Sequence, residues 1–541
     1  MNEEMKMPIL QGVKDFFNRQ YRQYSQPSRP IGTILYHLLY IFLGSYIFFY
    51  LIGNPVFSDP DVSWIIYTGK QIRTLGHIPK FDNFSFSTEN ANYPMVQMPW
   101  LWFITMSWLH DLVGLQNLFY VGLVIYGLVL TLLAYVLIKR GCAYHCTYAA
   151  VFINLMVLGH FSPFRAEVVT YVFSLLFLYF LNKARKDKRY YYPLPFINAL
   201  WSNLHWGVFV SFIIIAAFGA EALIEKNYQR IKQLTLVGSC CFIAILVNPY
   251  GYNLLPALFH HLSSNLGSNI SEWEPLSFGL YYGADLLFIV LFTTSNYKNK
   301  NIPIADKILT LFCFFSSISA IRNCLLLAGL GAYFIARNLE AYEPKDVGQK
   351  YENKSIRPRD FIIACSTIAL SLLLPLNLII QGATAYGHSK DFHLTRASLH
   401  DQAWNWNLLK KFANDRDLLV RNNNVPYDAI QFILKNYKDK RLLNYHGYGG
   451  YITYYSDNRI KTFIDGRNIT AYPPEVWKGI VDLHINKSND EVLLNAIVKK
   501  YKIDGIFIPN AQASIFPGLE KNWRMVYRDE IASIYLLKSK K

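Results

Sequence analysis

Several short stretches of this sequence carry side chains able to do acid–base or anion-binding chemistry. Asp59-Pro60-Asp61 sets two carboxylates two positions apart, directly after the first long apolar run. Such carboxylates can act as general base toward an acceptor hydroxyl or hold a divalent metal ion. The same tripeptide is also turn and helix-cap chemistry. Asp61 stands where a helix starting at Val62 needs its cap, which leaves Asp59, held extended by the following proline, as the freer carboxylate and the favoured base. Arg165, in Pro163-Phe164-Arg165-Ala166-Glu167, and Arg322, in Ala320-Ile321-Arg322-Asn323, are cations in gaps between apolar runs. A guanidinium at membrane depth needs a partner. That partner is a carboxylate such as Glu167, or a phosphate gripped through two parallel hydrogen bonds. His205, in Trp201-Ser202-Asn203-Leu204-His205-Trp206-Gly207, reads either as a hydrogen-bonded turn residue or as a further donor toward such a phosphate. Glu272 and Glu274 add two carboxylates that can orient an acceptor or complete a metal site.

These residues are positioned by a chain of membrane composition. Of its 541 residues, 52% are hydrophobic and 16% aromatic, while only 17% are charged. Apolar runs fill the stretch from 32 to 382. Candidate spans of the length a bilayer demands lie at 32–53, 116–138, 143–161, 166–182, 206–224, 233–249, 280–296, 304–320, 322–338 and 361–382, with a shorter piece at 192–204. The formal charge of +16 would point to nucleic acid in a soluble chain. Here Lys and Arg collect in the short gaps instead, as cytoplasmic loops do, and nucleic-acid binding is set aside. The seven cysteines show no paired CxxC spacing and none lies in the tail, so neither a disulfide framework nor a zinc site is indicated.

The gaps around Lys139-Arg140, Lys183–Arg189, Lys226–Lys232, Lys298–Lys307 and Arg337–Arg359 are basic, whereas the gap 249–283 contains no Lys or Arg. Parity is satisfied when the 192–204 piece crosses and the Trp-rich stretch Met98–Val113 lies in the interface as a helix. This gives an α-helical multi-pass membrane protein of about 11 spans with its N-terminus inside. Residues 1–31 form a cytoplasmic segment, and 32–384 the membrane domain with a large external loop at 54–97. The external tail, 385–541, reads as a soluble α/β domain in a periplasmic or extracellular position. Within it, Leu442–Tyr445, Tyr451–Tyr455, Lys461–Ile464, Gly505–Ile508 and Ile534–Leu537 read as strands. Tyr427–Asn436 and Asp490–Tyr501 read as helices. Val62–Leu75 reads as a helix in the first loop. In the tail, Gly447, Gly449 and Gly450 indicate a turn or close backbone approach, and Asp465-Gly466 a turn.

Taken in order, the motifs resemble the GT-C superfamily of membrane glycosyltransferases, which includes aminoarabinose transferase, protein O-mannosyltransferases and oligosaccharyltransferases. They are more closely similar to a prokaryotic branch with an Asp-Pro-Asp-x-x-Trp start and a C-terminal soluble domain. The matching residues are Asp59-Pro60-Asp61-Val62-Ser63-Trp64, Thr68-Gly69, His77-Ile78-Pro79, Asp82-x-Phe84-Ser85-Phe86, Pro99-Trp100-Leu101 and Pro163-Phe164-Arg165. They continue through Trp201–Gly207, Asn248-Pro249-Tyr250-Gly251, Glu272-Trp273, Arg322-Asn323, Gly449-Gly450-Tyr451 and Ile464-Asp465-Gly466-Arg467. The resemblance implies a polyprenyl-phosphate-linked sugar donor at the external face, and an Asp of the first external loop as base or metal ligand. It also implies two interfacial helices in that loop and a glycan, lipid or protein acceptor. One departure stands out: related sequences often carry Trp-His after the Asp-x-x-Trp start, where this chain has Ile65-Ile66. The competing readings are a transporter or flippase of lipid-linked sugars, which should show two repeated halves with broken helices, and a non-catalytic membrane assembly protein. No internal repeat is visible.

The topology has a direct check. A cysteine introduced in the 262–267 loop should react with a membrane-impermeant thiol reagent from outside, and one at Asp187 should not. The reverse pattern would invert the assigned orientation.

Overall fold

The structure is a computed structural model and describes residues 31–52, 59–89, 91, 93–159, 161–263, 302–340, 425–467, 470–480, 491–515 and 519–538. The expected spans at 280–296 and 361–382, and Glu272 and Glu274, lie outside the described residues. The membrane part contains helices α1 (Ile31–Ile52), α2 (Pro60–Leu75), α3 (Trp100–Lys139), α4 (Tyr144–Leu158), α5 (Glu167–Ala184) and α6 (Pro193–Leu204). It continues with α7 (Val210–Ile224), α8 (Tyr228–Ala244), α9 (Leu254–Ser263), α10 (Ile304–Ser319) and α11 (Cys324–Glu340). Among the described residues, the stretches Tyr120–Lys139, Glu167–Ala184 and Trp206–Ile224 are long and apolar enough to cross a membrane, and the chain is a membrane protein.

The interfacial stretch and the following span are continuous in α3 except at Gly114, whose φ of 78° and ψ of 158° lie outside helical space. That residue turns the helix between its Trp-rich first part and its apolar second part, as the change of composition anticipates. Helix α6 rises about 18 Å, less than the roughly 30 Å of hydrocarbon. It nevertheless connects the basic gap at Arg185 to the His205 turn at the other end of the bundle.

The basic gaps converge on one end. Arg140 donates to both oxygens of Asp306, at 2.8 and 2.6 Å, and to Asn182. Glu221 takes Arg185 and Arg230, at 2.8 and 2.7 Å, together with the Ala305 amide. Asp306, Glu221 and Arg230 are buried where charge is costly, and pairing offsets that cost. The turns carrying the sequence-selected Asp, Arg and His residues meet at the opposite end. Ile65 and Ile66, the position of the departure, are buried core residues beside Phe103 and Met106. Gly69 is needed for backbone contact, because a Cβ there would collide with the Phe103 carbonyl.

The tail folds as a three-layer α/β unit. Its sheet comprises β1 (Leu442–Asn444), β2 (Gly505–Pro509), β3 (Trp523–Arg528) and β4 (Ala532–Leu537), in the order β1-β2-β4-β3. Strands β1 and β2 are parallel, and β2–β4 and β4–β3 are antiparallel. Period-two alternation sends Ile506 and Ile508 to one core and Phe507 to the other. The second core also holds Ile430 and Ile433 of α12 (Tyr427–Asn436) and Tyr451 and Ile452 of α13 (Gly449–Tyr455). The first holds Trp477 of α14 (Pro474–Ile480) and Leu494 and Ile497 of α15 (Glu491–Tyr501). Short α16 (Leu519–Asn522) leads into β3.

Two strand expectations are corrected. Tyr451–Tyr455 is helical, because packing of Tyr451 and Ile452 against the sheet overrides the β preference of the Thr-Tyr-Tyr run. Lys461–Ile464 is extended but outside the sheet. It pairs instead with the first loop, through Phe86 N–H to Thr462 O at 2.9 Å and Thr462 N–H to Phe84 O at 3.0 Å. Edge strand β3 escaped notice because its polar residues interrupt the apolar pattern.

The loop and tail are locked by Arg467, whose side chain is 2% exposed. It donates to both Asp465 oxygens, at 2.8 and 2.7 Å, and to Asp82 at 2.8 Å, and its guanidinium lies over the Phe84 ring. Arg467→Ala would leave two carboxylates buried without their cation. A loss of about 3–5 kcal/mol follows, read as a lower unfolding temperature and easier proteolytic release of the tail. Lys at this position should restore little, since it lacks the forked donors.

Candidate active site

Helix α2 begins earlier than its sequence pattern indicates. Pro60 occupies the first helical position, where its missing N–H is harmless, and Asp59 is the cap (φ −93°, ψ 105°). Its Oδ1 accepts the Asp61 N–H at 3.1 Å. The cap is therefore Asp59 and not Asp61. The physical reason is the proline: it holds its predecessor extended, and that is the conformation a cap requires. Asp61 lies in the first turn, and its Oδ1 accepts the Trp64 indole N–H at 2.9 Å.

Arg165 bridges the two acids. Its Nε and Nη2 contact Asp59 at 2.9 and 3.1 Å, and Nη2 lies 3.1 Å from Asp61 Oδ2. The turn that presents it is held from α3. Trp102 donates to the Phe164 carbonyl at 2.8 Å, and the Tyr126 hydroxyl donates to the Phe161 carbonyl. Phe164 is fully buried, and Gly122 leaves room for it and for Pro163.

Glu167, two residues on, pairs with Arg322 at 2.6 Å. Arg322 sits on the 3₁₀ turn Ile321–Asn323 between α10 and α11, where Asn323 donates to Ser316 O. Glu167 also lies in the field of His205 and Arg165. Thus Asp59, Asp61, Arg165, His205 and Arg322 come together as the sequence selects them. Glu167, considered there as a partner for Arg165, joins through Arg322. Among the described residues, three carboxylates meet two guanidiniums here.

His205 is extended (φ −159°, ψ 145°) between α6 and a 3₁₀ turn. Its Nδ1 accepts the Gly207 N–H at 3.2 Å and meets Thr170 Oγ1 at 2.5 Å. Thr170 Oγ1 accepts the Trp201 indole N–H at 3.1 Å, so its own proton goes to Nδ1. Two donors on Nδ1 place the proton of the neutral ring on Nε2. A Cβ at Gly207 would strike Thr170 Oγ1 and His205 Nδ1. The neighbouring Asn203 joins three segments: it accepts from Trp100 at 2.8 Å and donates to Val247 O at 2.8 Å. Sequence reasoning missed Thr170 as the residue that orients His205. Nothing in the periodicity of α5 distinguishes it from a buried helical threonine.

No protein-family description and no curated protein sequence matches the chain. Solved structures do. The archaeal oligosaccharyltransferase AglB from Archaeoglobus fulgidus, in complex with an inhibitory peptide and a dolichol-phosphate, aligns with a TM-score of 0.56 at 12% identity, covering 93% of this chain and 74% of that one. The Archaeoglobus fulgidus oligosaccharyltransferase tethered to an acceptor peptide gives 0.54 at 12% identity, with coverages of 93% and 74%. Its apo form gives 0.53 at 13%, with coverages of 94% and 74%. The chain has a GT-C fold.

Within the GT-C fold, the two expected first-loop helices are α2 and the Trp100–Val113 part of α3. Among the described residues no group of three or more His, Cys, Asp or Glu is arranged to hold a divalent metal. The Asp59 and Asp61 oxygens are also engaged by Arg165, Trp64 and a backbone N–H.

The tautomer can be read directly. Nitrogen chemical shifts of ¹⁵N-His protein should show His205, assigned by its loss in His205→Gln, protonated on Nε2. Thr170→Val should give a mixture of tautomers. An Nδ1-protonated ring in the unaltered protein would break this hydrogen-bond assignment.

Proposed function

We propose that this chain is a membrane glycosyltransferase, moving a sugar from a polyprenyl-phosphate donor to an acceptor on the external face. The observation that carries this reading is the meeting of an Asp pair with Arg165, Arg322 and His205 at one end of a GT-C fold. A solved protein of that fold is bound to dolichol-phosphate and a peptide. The N-terminus is inside and the tail outside, so this end is external.

The chemistry divides between the two charge types. One Asp takes the proton of the acceptor nucleophile, which forms a bond to the anomeric carbon as the bond from that carbon to the phosphate oxygen breaks. The polyprenyl phosphate leaves with the electron pair, stabilised by Arg165, Arg322 and the Nε2–H of His205. Attack opposite the leaving group inverts the anomeric carbon. Asp59 is both helix cap and twofold Arg165 partner, so Asp61 is the better base of the two. Phosphate enters by exchange: Arg322 trades Glu167 for the incoming oxygens. Glu272 and Glu274 orient the acceptor or contribute to a metal site.

Release of polyprenyl phosphate from the cell's own lipid-linked sugars, together with thermal stability, tests this reading. Asp61→Asn should be stable and slower by a factor of about 10²–10⁴. Asp59→Asn keeps a capping oxygen and should be destabilised only through its weakened pairing with Arg165. Arg165→Ala and Arg322→Ala should weaken binding of the lipid phosphate. Full transfer by both Asp variants would overturn the reading at its centre.

A further inference from the structure

Two successive glycines open helix α13, and they face different partners. A Cβ on Gly449 would strike the Ile464 carbonyl and Asp465, so the helix start lies against the turn Asp465-Gly466-Arg467. A Cβ on Gly450 would collide with the Pro60 carbonyl, so the same helix start lies against the first turn of α2. That corner brings the turn onto Asp61. A Cβ on Gly466 would collide with Asp61 Oδ1 and come within 2.9 Å of the Trp64 indole nitrogen. The φ of Gly466 is not in the left-handed region that itself calls for glycine. The contact with Asp61 and Trp64 is therefore what requires a residue without a side chain there.

Both sides of this contact are held from behind. Within the turn, the Arg467 N–H donates to Asp465 Oδ1 at 3.0 Å, and the Arg467 guanidinium ties Asp465 to Asp82 of the first loop. Asn444 Nδ2 donates to the Ile464 carbonyl at 2.8 Å. Facing it, Asp61 Oδ1 accepts the Trp64 indole N–H at 2.9 Å, and Oδ2 lies 3.1 Å from Arg165 Nη2. The Trp64 ring in turn stands edge-on to Phe103 of α3.

We propose that Gly466 is a positioning residue: the Asp465-Gly466-Arg467 turn is the seat that keeps Asp61 on the Trp64 indole, and the C-terminal domain thereby completes the reaction centre. The catalytic consequence rests on Asp61 being the base of the transfer; the contact itself does not. A methyl group at position 466 must displace Asp61 or lift the turn, and a base displaced by about 1 Å loses up to about 10²-fold in rate.

The test needs no substrate. An indole N–H bonded to a carboxylate resonates further downfield than one without an acceptor, so the ¹⁵N-Trp spectrum of the full-length protein in lipid nanodiscs reports the Asp61 contact. The Trp64 signal is assigned by its loss in Trp64→Phe. Asp61→Ala should move it upfield, and Gly466→Ala should move it in the same direction. Gly505→Ala puts a Cβ against the Tyr535 carbonyl inside the sheet, away from Asp61, and should leave the signal in place. An unmoved Trp64 signal in Gly466→Ala would overturn the proposal, as would an equal movement in Gly505→Ala. Should Gly466→Ala fail to fold, adding Asp61→Ala removes the atom it strikes and should restore folding to that of Asp61→Ala alone. A double variant that also fails to fold counts against the contact. If the signal moves while Asp61→Asn still transfers sugar at full rate, the base assignment fails and the seat stands. If Asp61→Asn is slow and the signal does not move, the base stands and the seat fails.

Discussion

Arg165 is the constraint on which the arrangement turns. A guanidinium at the edge of a membrane cannot be left without partners, and this one spans Asp59 and Asp61 with three contacts near 3 Å. Its position requires the preceding turn to be held rigidly, which Trp102, Tyr126 and the buried Phe164 do. It also requires α2 to start at Pro60, so that one acid caps the helix while the other lies in its first turn. Glu167 then becomes the partner of Arg322, and His205 is oriented by Thr170 one turn further along the same helix. Each cation is matched to an acid from a different segment, and so the site fixes the relative placement of the segments.

The far end of the bundle uses the same device without the same chemistry. Arg140 with Asp306, and Glu221 with Arg185 and Arg230, pair buried charges between helices. What distinguishes the candidate site is one guanidinium shared by the Asp59–Asp61 pair, with His205, oriented by Thr170, beside Glu167.

Much of this was legible in the residues. Apolar length located the helices, because a bilayer tolerates few other patterns, and the start at Cys324 or Glu167 differs from expectation by only a residue or two. Arg165 and Arg322 announced themselves as cations in gaps where cations are disfavoured. The assignment of caps was not legible, because Asp59 and Asp61 are equivalent in type and only Pro60 decides between them. Thr170 was also hidden: its role depends on His205 and Trp201, far away in the chain, and a single sequence holds no record of that proximity. The Tyr451–Tyr455 helix defied its local β preference for the same reason.

The pairing of the first loop with the tail bears on the order in which this protein can mature. Phe84 and Phe86 hydrogen-bond with Thr462, and Asp82 meets Arg467 across 385 positions of chain. The early partner must therefore wait, exposed at the membrane surface, while every intervening helix is inserted. The Asp pair acquires its tail contacts only when the last part of the polypeptide has been delivered to the same side. Nascent chains that stall midway would hold the acids and Arg165 without the backbone around Gly450 and Gly466 that packs against them.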